Sequence, residues 1–211
     1  MVAEAKALAA LGDRSGLDAT IAEAMVTPMV FTPANVLVEA AATAGAHGRP
    51  ELSRNLALRA VRIFESDSEV SVGPWDRILF AEALVHLGRF DRAQVVLKDL
   101  LPEVRQRPGY VPLVVRGWLG TVAARRGDLE TARSMDRELA GIDDPYLYGG
   151  PFYYRAAITA WLGHREEAVD LLQAARSEGW SAFYQLHDED RVFFEPLEGM
   201  AEFEEMLHPT E

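Results

Sequence analysis

Apolar positions along this 211-residue chain fall at helical spacing, in blocks punctuated by glycine. Glycine recurs at Gly12, Gly48, Gly88, Gly127 and Gly163, at intervals of 36, 40, 39 and 36 residues. Five residues after each stands a small or apolar side chain: Leu17, Ser53, Ala93, Ala132 and Ala168. From that anchor the apolar positions continue as one helix face. The last block has Ala168, Leu171, Leu172 and Ala175, the third Ala93, Val96, Leu97 and Leu100, the second Ser53, Leu56, Ala57 and Ala60. The first follows with Leu17, Ile21 and Ala24. In the fourth, Ala132, Met135 and Leu139 fit, but Asp136 falls where a buried residue is expected. The segment before each glycine is apolar on one face as well, as in Ile78, Ala81, Leu84 and Val85.

This pattern predicts antiparallel helix pairs turning at the glycines, where a left-handed backbone carries no steric penalty. A pair has two apolar faces and cannot bury both alone, so pairs stack. A period of roughly 34 to 47 residues is that of stacked helical hairpins. Breakers separate the pairs: Thr27-Pro28, Ser71-Val72-Gly73-Pro74, Arg107-Pro108-Gly109, and the stretch from Gly141 to Pro151. Pro74 and Pro151 are placed to open helices. The expectation is an all-α, single-domain α-α superhelix over residues 1–211, a solenoid of about five hairpins. Its pairs would span residues 1–27, 31–66, 74–103, 109–140 and 149–178, with a short helical cap over 180–211. In the cap, Phe193-Phe194-Glu195-Pro196-Leu197 and Phe203-Glu204-Glu205-Met206-Leu207 read as two short helices covering the last hairpin, with Glu198, Glu202 and Glu205 facing water.

Three stretches carry a family resemblance. Leu119-Gly120 stands twelve residues before Ala132, and Leu87-Gly88-Arg89-Phe90-Asp91-Arg92-Ala93 and Leu162-Gly163-His164-Arg165-Glu166-Glu167-Ala168 share one turn pattern. On these residues the chain resembles the tetratricopeptide repeat (TPR) family, in a degenerate, bacterial-type form, over roughly residues 2–178. Leu84, Ala123 and Thr159 replace the family's aromatic, the closing proline is absent, and the longest periods exceed the family's usual length.

The resemblance implies that the first helix of each pair lines a concave groove. Its inward positions fall on Asn35 and Val38, on Trp75, Ile78, Glu82 and His86, on Val114, Thr121 and Arg125, and on Tyr153 and Trp161. The expected binding residues are Asn35, Trp75, Glu82, His86, Thr121, Arg125, Tyr153 and Trp161. Trp75, Tyr153 and Trp161 would anchor a peptide or protein segment, and Glu82 and Arg125 would orient it. The Lys-Asn set by which some family members clamp an acidic chain terminus is missing. The expected function is therefore a non-enzymatic protein-protein interaction scaffold. The alternative is a regulatory or sensor module of a larger bacterial signalling or transcription-control protein, whose TPR arrays end in segments resembling this tail. Exposed apolar groove surface also leaves room for a homo-oligomer.

Composition narrows the partners. The net charge is −12, and residues 187–211 hold nine acids against Arg191, so most of the acidity is at the C-terminal end. Without clustered Lys and Arg, neither nucleic acid nor an anionic membrane is an expected partner. The opening Met1–Leu8 lacks the basic start and apolar core of a secretory signal. The absence of cysteine excludes disulfides and thiolate chemistry and fits a cytoplasmic location. Arginine outnumbers lysine 19 to 2, as bacterial coding bias produces.

No catalytic constellation stands out, and neither a metal nor a cofactor is expected. His47, His86 and His164 lie within two residues of a hairpin glycine, where the helix dipole favours them. His187-Asp188-Glu189-Asp190 lacks the glycine turn of a cation loop and reads as a solvated charge cluster. Asp143-Asp144 precedes Pro145 and reads as a turn. An enzyme would have to use Glu82 with His86, which share a helix face at i and i+4. Tyr146, Tyr148, Phe152, Tyr153 and Tyr154 crowd one linker and the helix after it, as a stacking surface or as packing of that linker.

Overall fold

The computed structural model describes residues 1–27, 32–66, 73–180 and 191–207. Those residues are helical, without a strand, and adjacent helices pack as hairpins. None of the described helices is long and apolar enough to cross a membrane. The chain forms two compact units, Met1–Ala93 and Gln94–Glu211.

The spaced glycines lie at helix ends, as expected. All five have positive φ, from 68° at Gly48 to 89° at Gly163. At Gly88 its own N–H donates to the Val85 carbonyl at 2.9 Å and the Arg89 N–H to the Leu84 carbonyl at 2.8 Å. The same pair of bonds closes the helices before Gly12, Gly48, Gly127 and Gly163. It satisfies carbonyls that a helix end would otherwise leave bare. A Cβ at Gly88 would meet nothing within 4 Å, so the backbone conformation, not crowding, selects glycine there. The anchors five residues on, Leu17, Ser53, Ala93, Ala132 and Ala168, are all buried.

In the first unit α1 (Val2–Leu11) pairs with α2 (Arg14–Val26), and α3 (Pro33–Ala46) with α4 (Pro50–Ser66). Helix α5 (Pro74–His86) packs on α3 and α4. Helix α3 is buried almost all round, over Ala34–Val38 and Ala40–Ala44, because α1, α2, α4 and α5 all lie against it. Its composition, mostly alanine and valine, lets neighbours approach from every side. Helix α4 buries only Leu52, Ser53, Leu56, Ala57, Ala60 and Val61, one stripe of an amphipathic surface. Helix α6 (Phe90–Val104), most of which belongs to the second unit, likewise buries Ala93, Leu97, Leu100 and Val104.

The second unit repeats the contrast. Helix α7 (Tyr110–Arg125) is buried nearly all round and pairs with α8 (Leu129–Ala140). After a 3₁₀ turn at Pro145–Leu147, α9 (Gly150–Trp161) pairs with α10 (Arg165–Ser177) and packs on α7 and α8. Helices α7 and α9 approach closely at Gly117 and Gly120, where a Cβ would run into the Tyr154 ring and the Ile158 side chain respectively. Asp136, the polar residue at an expected core position of α8, is half-buried and accepts from Arg155 of α9 at 2.9 Å. The chain then adds α11 (Arg191–Phe194), a 3₁₀ turn at Glu195–Leu197, and α12 (Ala201–Leu207). Glu198, Glu202 and Glu205 face water, as the cap reading expected.

Candidate functional site

The candidate site is built on the buried first helices of the second unit. Trp118 and Arg125 stand seven residues apart on α7, and Tyr154 and Trp161 seven apart on α9, so each pair shares a face two turns apart. The Arg125 guanidinium lies over the Trp161 ring, 4.0 Å from its centroid. Both side chains reach the same short segment. Arg125 donates to the Val192 carbonyl at 3.2 Å and to the Glu195 carboxylate at 3.0 Å. The Trp161 indole donates to the Phe193 carbonyl at 2.8 Å. Two consecutive main-chain carbonyls of the C-terminal segment are thus held by side chains of α7 and α9.

Aromatic contacts supply the burial. Phe193 lies 4.4 Å from the Trp118 ring, with Tyr153 and Tyr154 edge-on at 6.0 and 6.1 Å. Phe194 meets the Tyr153 ring edge-on at 5.3 Å and Phe203 at 5.8 Å. On its other side Tyr153 stacks on Trp180 at 4.5 Å. Phe193, Phe194 and Leu197 are all buried. Burying a phenylalanine or leucine side chain is worth about 1.5–3 kcal/mol, so Phe193, Phe194 and Leu197 each help to hold this segment on its seat.

The charge is arranged asymmetrically. The Arg125 side chain is 15% exposed, whereas Glu195 is 58% exposed. Burial pushes the Arg125 guanidinium below its ordinary range, and Glu195 opposes that shift. It stays a cation at neutral pH. The cation is built into the wall, and the acid that matches it arrives on the segment.

The other expected binding residues have different roles. Asn35 is buried at the start of α3, where its side chain accepts from the Thr32 N–H at 3.3 Å and from the Thr32 hydroxyl at 3.1 Å. It completes a capping box. Thr121 is buried and donates to the Gly117 carbonyl of its own helix at 2.9 Å. Tyr153 is a core ring, not an open anchor. Val38, Ile78 and Val114 are buried too. In the first unit Trp75 is 43% exposed. The side chain of His86 is 7% exposed and its Nε2, 3.9 Å from Glu82, makes no hydrogen bond. That separation is beyond hydrogen-bond range.

Arg125, Tyr153 and Trp161 are therefore brought together, but they are already engaged by the chain's own C-terminal segment. The cap does not leave this face open. Trp118, Trp180, Phe193 and Glu195 belong to the site and were not among the expected binding residues. The spacing of Trp118 to Arg125 was a readable signal, whereas the docking of residues 192–197 was not. In the linker before α9 Tyr146 is largely exposed, while Tyr153 and Tyr154 within α9 are buried, so the aromatic crowd divides between solvent and packing. The His187–Asp190 cluster lies outside the described residues. No protein-family model, curated protein or solved structure matches this chain.

Proposed function

We propose that this chain is a TPR-type, non-enzymatic interaction scaffold that holds a peptide or protein segment against the first helices of its hairpins. One observation carries the reading: Arg125 and Trp161 donate to the successive carbonyls of Val192 and Phe193, beside a pocket that takes aromatic side chains. Main-chain hydrogen bonds with pockets for particular side chains are how folded domains hold peptides. The cysteine-free composition and the excess of arginine over lysine support a bacterial cytoplasmic setting.

Photocrosslinking in the native cell tests this, with a photoreactive residue at position 75 or 195, both exposed. Discrete adducts with a second protein are expected from at least one position. An unshifted band from both would count against a scaffold. The second reading, a regulatory or sensor module of a larger protein, is favoured by the same docked segment, since a seat filled from within the chain can be emptied by a signal.

A further inference from the structure

Building on the scaffold reading, we infer that residues 192–197 are an internal stand-in for the partner, which is an acidic segment carrying two adjacent aromatic residues and must displace them to bind. The contacts separate into two kinds. The hydrogen bonds to the Val192 and Phe193 carbonyls are indifferent to sequence, and any chain in the same path would accept them. The selective contacts are Phe193 against Trp118, Phe194 against Tyr153, and Glu195 with Arg125. They read a pair of aromatics followed at once by an acid.

The seat is built on long helices and its occupant on a short one. Trp118 and Arg125 lie on a helix of 16 residues, and Tyr153, Tyr154 and Trp161 on one of 12. Helix α11 has four residues, too few to hold a helical turn in water without a surface to dock on. The occupant therefore takes its shape from the walls. An acid at the place of Glu195, 3.0 Å from the Arg125 guanidinium, would keep this charge-assisted hydrogen bond in any replacement. The hydrophobic pocket, in turn, selects the aromatic pair.

Occupancy in cis has a measurable consequence. A tethered segment acts at an effective concentration on the order of 1 mM. If its intrinsic dissociation constant is about 10–100 μM, a competing peptide binds about 10- to 100-fold more weakly than to an open seat. Glu195→Arg is the perturbation of choice, because residue 195 is exposed and the change sets two cations against each other.

The test uses the full chain and a fluorescein-labelled synthetic peptide with the sequence of residues 189–200, followed by fluorescence anisotropy. Wild type should bind it weakly and the Glu195→Arg chain at least 10-fold more tightly. The Arg125→Glu chain should reject that peptide and accept the one in which residue 195 is arginine. A Phe193→Ser chain that keeps its helical circular dichroism should also gain affinity for the unaltered peptide. Equal binding by wild type and Glu195→Arg, or binding indifferent to the sign of residue 125, overturns the inference. If crosslinked partners are nonetheless found, the scaffold reading stands and only the stand-in falls. If the reciprocal charge pattern appears without any cellular adduct, the seat is real and the scaffold role is what fails.

Discussion

Gly117→Ala should destabilise the second unit, although alanine is the better helix former. Gly117 lies inside α7, where replacing glycine by alanine on an open surface gains about 1 kcal/mol. Here the added methyl would overlap the Tyr154 ring. That ring is buried, with Tyr153, Trp180 and Phe193 at its edges and the Tyr110 hydroxyl 3.4 Å from its own. It has nowhere to go without moving the cradle. Overpacking of a filled core costs about 1–3 kcal/mol, and more where overlap is deep. With the overlap falling on ring carbons, not a flexible end, the upper part of that range applies, and the net loss is about 2 kcal/mol.

Gly45→Ala is the control. Gly45 is near the end of α3, and its new methyl would sit 3.4 Å from the Ser53 hydroxyl, an ordinary contact. That variant should gain about 0.5–1 kcal/mol. The assay is urea unfolding, read for Gly117→Ala by the fluorescence of Trp118, Trp161 and Trp180, which all lie in the second unit, and for Gly45→Ala, in the first unit, by helical circular dichroism. With a slope of about 2 kcal/mol per M, the Gly117→Ala midpoint should fall by about 1 M. A Gly117→Ala midpoint equal to or above wild type would refute the claim that α7 and α9 touch at this glycine.

Other outcomes follow from local geometry. Gly88→Ala forces an alanine to φ 69° and should cost about 1–2 kcal/mol, read as a lower thermal midpoint. Asp128 caps α8 by accepting from the Thr131 N–H at 3.2 Å and also accepts from Gln94 at 2.6 Å. Asp128→Ala should therefore cost about 1 kcal/mol at neutral pH, measured by urea unfolding. The hydrogen bond to Thr131, with help from Gln94 and Lys98, holds the Asp128 carboxyl well below its usual range. Its contribution should then be complete above about pH 4 and shrink as pH falls towards the depressed value, so wild type and Asp128→Ala should converge in acid. Trp161→Phe keeps the ring but removes the bond to the Phe193 carbonyl, and should raise amide hydrogen exchange across residues 192–197 about 3- to 10-fold.

What the chain alone determined is the hairpin plan. The positive-φ turn at Gly88 and the buried anchor at Ala93 are local matters, one of backbone sterics and one of helical periodicity, and both are written within a few residues. The contrast between α3, buried almost all round, and striped α4 was not read from the chain, where the first helix of each pair was expected to be apolar on one face; it comes from α1, α2, α4 and α5 all lying against α3. The tertiary structure decided which face meets which neighbour. Asn35 and Thr121 look like free polar groups in the sequence, yet each spends its hydrogen bonds within its own helix start or turn. Asp136 breaks a core pattern until Arg155 is seen beside it. Arg125 and Trp161 were expected to face a groove, and the structure places on them a segment of the same chain, about seventy residues from Arg125. Such pairings depend on where the chain's return path brings Val192, Phe193 and Glu195, and periodicity along one helix carries no information about that path.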